Sequence, residues 1–233
     1  MFFKFLNLAF LSCFIYAGNE YVPDTLLKTL YEDQEWYQSA RIDGITLSTK
    51  TIKNMSIKAV KVHVEANIPK RIITDIIMDI KNYNIHFINS KKLFFQVINR
   101  YVNMVDGYQF ISVPIPFIKD REHFFRMSSD SFSPKFPNTF IHWYTLKKQI
   151  YSDIKTNFQS GKELYISIGA GIWNMDLMDD GKTLISYRLF IDPGGYLPDF
   201  AVDHVNKVNI VNLFRDVINE AGRRIKIDSD ISN

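Results

Sequence analysis

The chain has 233 residues, 46% of them hydrophobic and 15% aromatic, with a formal net charge of +3. That suffices for one domain with a sizeable core. The small charge, without a basic run, excludes a protein held to nucleic acid by phosphate contacts, and the single cysteine, Cys13, excludes an internal disulfide.

In chain order, Lys4 precedes an apolar run from Phe5 to Tyr16, and Ala17 puts a small residue before Gly18. About a dozen apolar residues cannot span a bilayer of ~30 Å, so 1–17 reads as a secretory signal peptide and the mature protein as exported, periplasmic or secreted. The alternatives are a short anchor that stays attached, or lipid attachment at Cys13, since Phe10-Leu11-Ser12-Cys13 loosely resembles a bacterial lipoprotein cleavage site. Residues 22–35 carry Val22, Leu26, Leu27 and Leu30 at helical spacing, giving an N-terminal helix at 18–33 and a main domain at 34–233. Strands follow at 35–42 and 45–52, joined by the hairpin signal Asp43-Gly44. A third strand, 57–66, alternates Val60, Val62 and Val64 with Lys61, His63 and Glu65. Pro69 opens a helix to Ile80, with a short irregular piece over 82–89.

The middle of the chain is a run of predicted strands at 93–103, 107–113, 121–129, 139–150, 162–170, 171–178 and 183–191. Val105-Asp106-Gly107 and Asp179-Asp180-Gly181 read as tight turns, which make their flanking strands antiparallel. The loop 132–137 holds two prolines. After the break Asp192-Pro193-Gly194-Gly195-Tyr196-Leu197-Pro198, an apolar stripe of Ala201, Val205, Val208, Val211, Phe214, Ile218, Ala221 and Ile225 predicts a helix from about 198 to 224. Helix, strands, helix, many strands and a long helix give an α+β domain. Its curled antiparallel sheet must be covered on one face, and the terminal helix is the only element long enough to do so.

Here the chain resembles the START lipid-transfer domain of the helix-grip superfamily. The proline-containing loop 114–120 runs into Arg121-Glu122, with Glu122 where the family usually has Asp. Residues 192–198 are similar to the family's strand-to-helix junction, and 171–187 to the two strands before it. The likeness covers about 34–222. It implies a curled sheet gripping the C-terminal helix around an internal apolar cavity, and a non-enzymatic protein that binds and transfers a lipid. Related helix-grip proteins include polyketide aromatase/cyclases, so an enzyme is one alternative; an interaction module with a filled cavity is another.

The candidate ligand residues follow from the strand starting at Arg121. Alternation puts Glu122, Phe124 and Arg126 on one face and Arg121, His123, Phe125 and Met127 on the other. One face fronts the cavity, where a charge is costly unless paired or bound to a polar ligand head. An arginine with an acidic partner there would hold a lipid headgroup or sterol hydroxyl. Tyr108, Phe110, Trp143, Trp173 and Met175 are candidate walls, and Val205 and Val208 the roof. Ile115, Phe117 and Ile118, held off the sheet by Pro114 and Pro116, form a candidate gate that touches a membrane. The five histidines lack metal-ligand spacing, and no phosphate loop or nucleophile elbow occurs, so no metal, cofactor or catalytic residue is expected. The expected partners are a lipid or sterol-like molecule and a transient membrane surface, with the protein a monomer.

Overall fold

A computed structural model describes residues 23–129, 140–158, 160–195 and 199–231. The segment 1–17, expected to be a signal peptide and containing Cys13, the 132–137 loop and 196–198 lie outside these residues.

The elements are α1 (Pro23–Tyr31), β1 (Tyr37–Ile42), β2 (Ile45–Thr51), β3 (Lys58–Ala66), α2 (Lys70–Met78), α3 (Tyr83–His86), β4 (Leu93–Arg100), β5 (Met104–Ile111), β6 (Arg121–Ser128), β7 (Phe140–Thr145), β8 (Leu164–Tyr165), β9 (Ile168–Leu177), β10 (Thr183–Asp192) and α4 (Asp199–Ile231). The strands make one sheet in the order β1-β2-β3-β10-β9-β7-β6-β5-β4, with β8 pairing on β6. Every pair is antiparallel except β6–β8. This is the expected α+β sheet with a long C-terminal helix.

Both faces of the sheet are covered. On one, Val60, Val62, Trp173, Ile185 and Tyr187 meet Ile210, Val211, Phe214, Val217 and Ala221 of α4, and α2 and α3 extend the layer. Those α4 residues recur at helical spacing, so one stripe of the helix is buried. Two buried carboxylates fix it further. Asp216 accepts hydrogen bonds from the Asn89 backbone N–H (2.9 Å), the Asn89 side-chain amide (2.6 Å) and the Ser90 N–H (2.8 Å). Glu220 pairs with Arg223 at 2.6 Å and Arg224 at 2.8 Å; Arg223 first, and then Arg224, hold its carboxyl down to about 2 against the opposing effect of burial.

On the opposite face, α1 lays Leu26, Leu27 and Leu30 over Ala59, Ala170, Ile172 and Phe190. Its last turn is pinned by cations from the sheet, which suits the negative end of a helix. Lys50 donates to the Thr29 carbonyl at 2.9 Å, and Arg188 donates to the Leu30 and Tyr31 carbonyls. Farther along the same face, Tyr108, Phe124 and Leu146 pack under Tyr151, Phe158 and Tyr165.

Several boundaries differ from the sequence reading. Asp106 and Gly107 lie inside β5, not in a turn: the chain reverses at 101–103, where the Tyr101 N–H donates to the Met104 carbonyl at 2.8 Å, and the Asp106 carboxylate accepts from Arg126 of β6 at 2.7 and 2.8 Å. The predicted strand 139–150 ends at Thr145 and gives way to a 3-10 turn at Lys148–Tyr151. The two strands predicted at 162–178 are the two-residue β8 and one ten-residue strand, β9. The terminal helix continues to Ile231.

Candidate functional site

Between the sheet and α4 are two adjoining cavities that share Gln109, Trp143, Tyr187 and Leu213 in their walls. The first reaches the corner between β10 and α4, bounded by Arg121, Pro193, Asn209 and Ile210. The second lies against Tyr83, Phe95, His123, Phe125, Met127 and Trp173. Between the walls of the first lie about 500 Å³ not filled by protein atoms, part of it open to solvent, yet a water molecule's centre can reach only about 40 Å³. The corresponding reach in the second is about 30 Å³. That is room for a few waters, in narrow slots between aromatic rings. Trp173 stacks on Tyr187 with ring centroids 4.2 Å apart, and Phe214 closes on Trp173 at 5.7 Å. Glycine at 171 lets Trp143 lie close to the sheet, since a Cβ there would come within 2.3 Å of Trp143 Nε1.

Arg121 is 1% exposed. Its Nε donates to the Pro193 carbonyl at 2.7 Å and its Nη2 to the Gly194 carbonyl at 3.2 Å, while Nη1 donates to the Lys119 carbonyl. One guanidinium therefore ties the end of the 114–120 loop to the corner that starts α4. Burial lowers its pKa and Asp120 opposes that shift, but among the described residues no carboxylate forms an ion pair with it. His123, two residues on, is fully buried, and burial drives its pKa down to about 3, so it is neutral. Its Nε2 lies 2.7 Å from Gln109 Oε1 and its Nδ1 3.2 Å from Thr145 Oγ1.

Arg121, Trp143 and Trp173 line the cavities, and Met175 is buried in the same layer without lining them. Tyr108, Phe110, Glu122, Phe124 and Arg126 do not: they belong to the opposite face of β5 and β6. There Glu122 accepts from Tyr108 at 3.0 Å and Lys148 at 2.8 Å, so it is not the acidic partner of Arg121. Val208 is 39% exposed and lines a separate surface groove with Asn89, Lys91, Lys92, Pro114 and Asn209, instead of roofing the cavity. The Val205 side chain lies outside the described residues. In the candidate gate, Ile115 and Ile118 are half-buried and Phe117 is fully exposed with φ +67°.

Gln109, His123, Tyr187 and Asn209 are the polar wall that sequence reasoning missed. His123 could have been found by stepping two residues from Arg121. Gln109 faces it only through the β5–β6 register, and a nine-residue connection does not set a register as a tight turn does.

No protein-family model matches the sequence, and no curated protein matches it. Solved structures do. Human STARD10 superposes with a TM-score of 0.63 at 15% identity, over 88% of this chain and 81% of its own. The STAR-related lipid transfer protein (fragment 25–204) from Xanthomonas axonopodis gives 0.60 at 11% identity, over 80% and 98%. Human StAR-related lipid transfer protein 5 gives 0.57 at 12%, over 84% and 92%. The chain has a START-like, helix-grip fold.

Proposed function

We propose that this protein is a non-enzymatic carrier that holds a hydrophobic small molecule between the sheet and α4 and exchanges it at a membrane. The observation that carries this reading is the pair of adjoining, largely apolar cavities with one buried guanidinium in the wall of the first. Their narrowness favours an unbranched chain, and each methylene buried contributes about 0.8 kcal/mol. Entry requires the 114–120 loop and the start of α4 to part, and Arg121 is the group that joins them. Phe117, exposed at the loop tip, is an apolar contact for a membrane.

The test is transfer of labelled lipid between vesicles, with native mass spectrometry of what co-purifies. Transfer above the spontaneous rate and a stoichiometric lipid are expected. Phe117→Asp should cut transfer severalfold while stability stays within ~0.5 kcal/mol, as at other exposed sites. A second reading, an interaction module, is favoured by the Trp173–Tyr187–Phe214 stack, which fills part of the space with the protein's own rings. It predicts no bound lipid and no transfer. Export belongs to the same proposal: protein from the native host should begin at or near Gly18, and an intact Met1 on cytoplasmic protein refutes export.

A further inference from the structure

Among the described residues, the polar atoms that the cavity walls leave uncommitted are almost all hydrogen-bond donors. A guanidinium has five N–H bonds and no acceptor. Arg121 directs three of them at carbonyls, which leaves one on each Nη. Neutral His123 has one donor and one acceptor nitrogen. Gln109 Oε1 can only accept, so the hydrogen sits on Nε2, and Nδ1 accepts from the Thr145 hydroxyl. This holds the Gln109 oxygen against His123, and among the described residues nothing takes its amide N–H groups. Tyr187 accepts from Trp143 Nε1 at 2.9 Å, and burial keeps the phenol protonated, so its own hydrogen still needs an acceptor. Asn209, at the boundary with the surface groove, brings the one side-chain carbonyl among the described lining residues that is not already engaged. That groove, which meets the first cavity at Asn209, also carries Lys91 and Lys92.

A ligand head that is itself a donor or a cation would displace water from these N–H groups without replacing its acceptor, and donors left unmet once a site is closed are what make it reject the wrong partner. A planar head with two acceptor oxygens meets the paired N–H groups of an arginine as a fork. Building on the carrier reading above, we infer that the cavity selects single-chain amphiphiles with an anionic acceptor head, long-chain carboxylates being the class that fits.

The test is titration of the delipidated full chain at pH 8 with four ligands of one chain: oleate, oleyl alcohol, oleylamine and oleyl phosphate. Oleate should bind at least tenfold tighter than the alcohol, with the amine weaker still. Equal binding of acid, alcohol and amine overturns the inference but leaves the carrier reading standing. Binding of none overturns the carrier reading itself. Oleyl phosphate binding tighter than oleate overturns the carboxylate assignment. Gln109→Leu should weaken oleate at least fivefold and leave the alcohol within twofold, whereas an equal loss for both shows that Gln109 only packs.

Discussion

His123 illustrates how a single buried side chain couples this core to pH. Its imidazole is enclosed by Gln109, Thr145, Phe125 and Trp143, and burial alone holds its pKa near 3. An unfolded histidine titrates near 6.5. Between those values the unfolded chain binds a proton that the folded chain refuses, so stability falls as pH drops below about 6.5. The slope approaches ~1.4 kcal/mol per pH unit for one such group. His63, whose pKa is lowered chiefly by burial, acts in the same direction. Carboxylates begin to titrate in earnest only below about pH 5. Urea midpoints measured from pH 7 to pH 5 should therefore decline in the parent and decline less in His123→Gln; identical slopes would refute the assignment. The same residue marks a limit of the sequence. Alternation along 121–127 separates two sets of side chains but does not say which set faces the cavity. In a half-wet strand the polar set faces water, whereas seven of the eight β6 residues are buried. Arg121 lines the cavity, Glu122 meets Lys148, and polarity carries no information about side.

At the scale of elements, the corner between β10 and α4 was legible from Asp192-Pro193-Gly194-Gly195. Gly194 and Gly195 both have positive φ, at +62° and +67°, a region that glycine enters freely and β-branched residues do not. A Cβ on Gly195 would stand 2.9 Å from Leu164 Cδ1 and 4.0 Å from Arg121 Nη2. Gly195→Val should cost about 1–3 kcal/mol of backbone strain and also disturb the Arg121 clamp, so ligand retention should drop. Gly181→Val is the matched control: φ there is +83° with open space around a Cβ, so it should lose similar stability and keep binding. If both variants bound ligand like the parent, the corner would not govern the cavity. The 147–165 stretch was less legible. The sequence reading ends one strand at 150 and starts the next at 162, but Tyr151, Phe158 and Tyr165 together cover the face of β5 and β6 that carries Phe124. Cover and strand use the same residue types, and only the sheet beneath decides between them.

For the whole molecule, the sequence identified the sheet and the terminal helix but not the second covered face. A sheet gripping one helix can leave its other side wet; here α1 and the 147–165 stretch close that side. The sequence reading separates the N-terminal helix from the domain that follows, yet Leu26, Leu27 and Leu30 are each at most 2% exposed. Burying side chains of that size contributes about 1.5–3 kcal/mol each, against a total stability of about 5–15 kcal/mol for a typical domain. The contact is reinforced by Lys50 and Arg188, which reach the carbonyls ending α1. Deleting 23–34 would remove those acceptors and expose Ile172 and Phe190 as an apolar patch. The shortened protein should therefore lose most of its stability, by urea denaturation at pH 7, and should self-associate. An N-terminal helix that is separate from the domain predicts the opposite, an unchanged midpoint and a monomer. That outcome would return α1 to the N-terminal segment and leave the sheet to stand with one face wet.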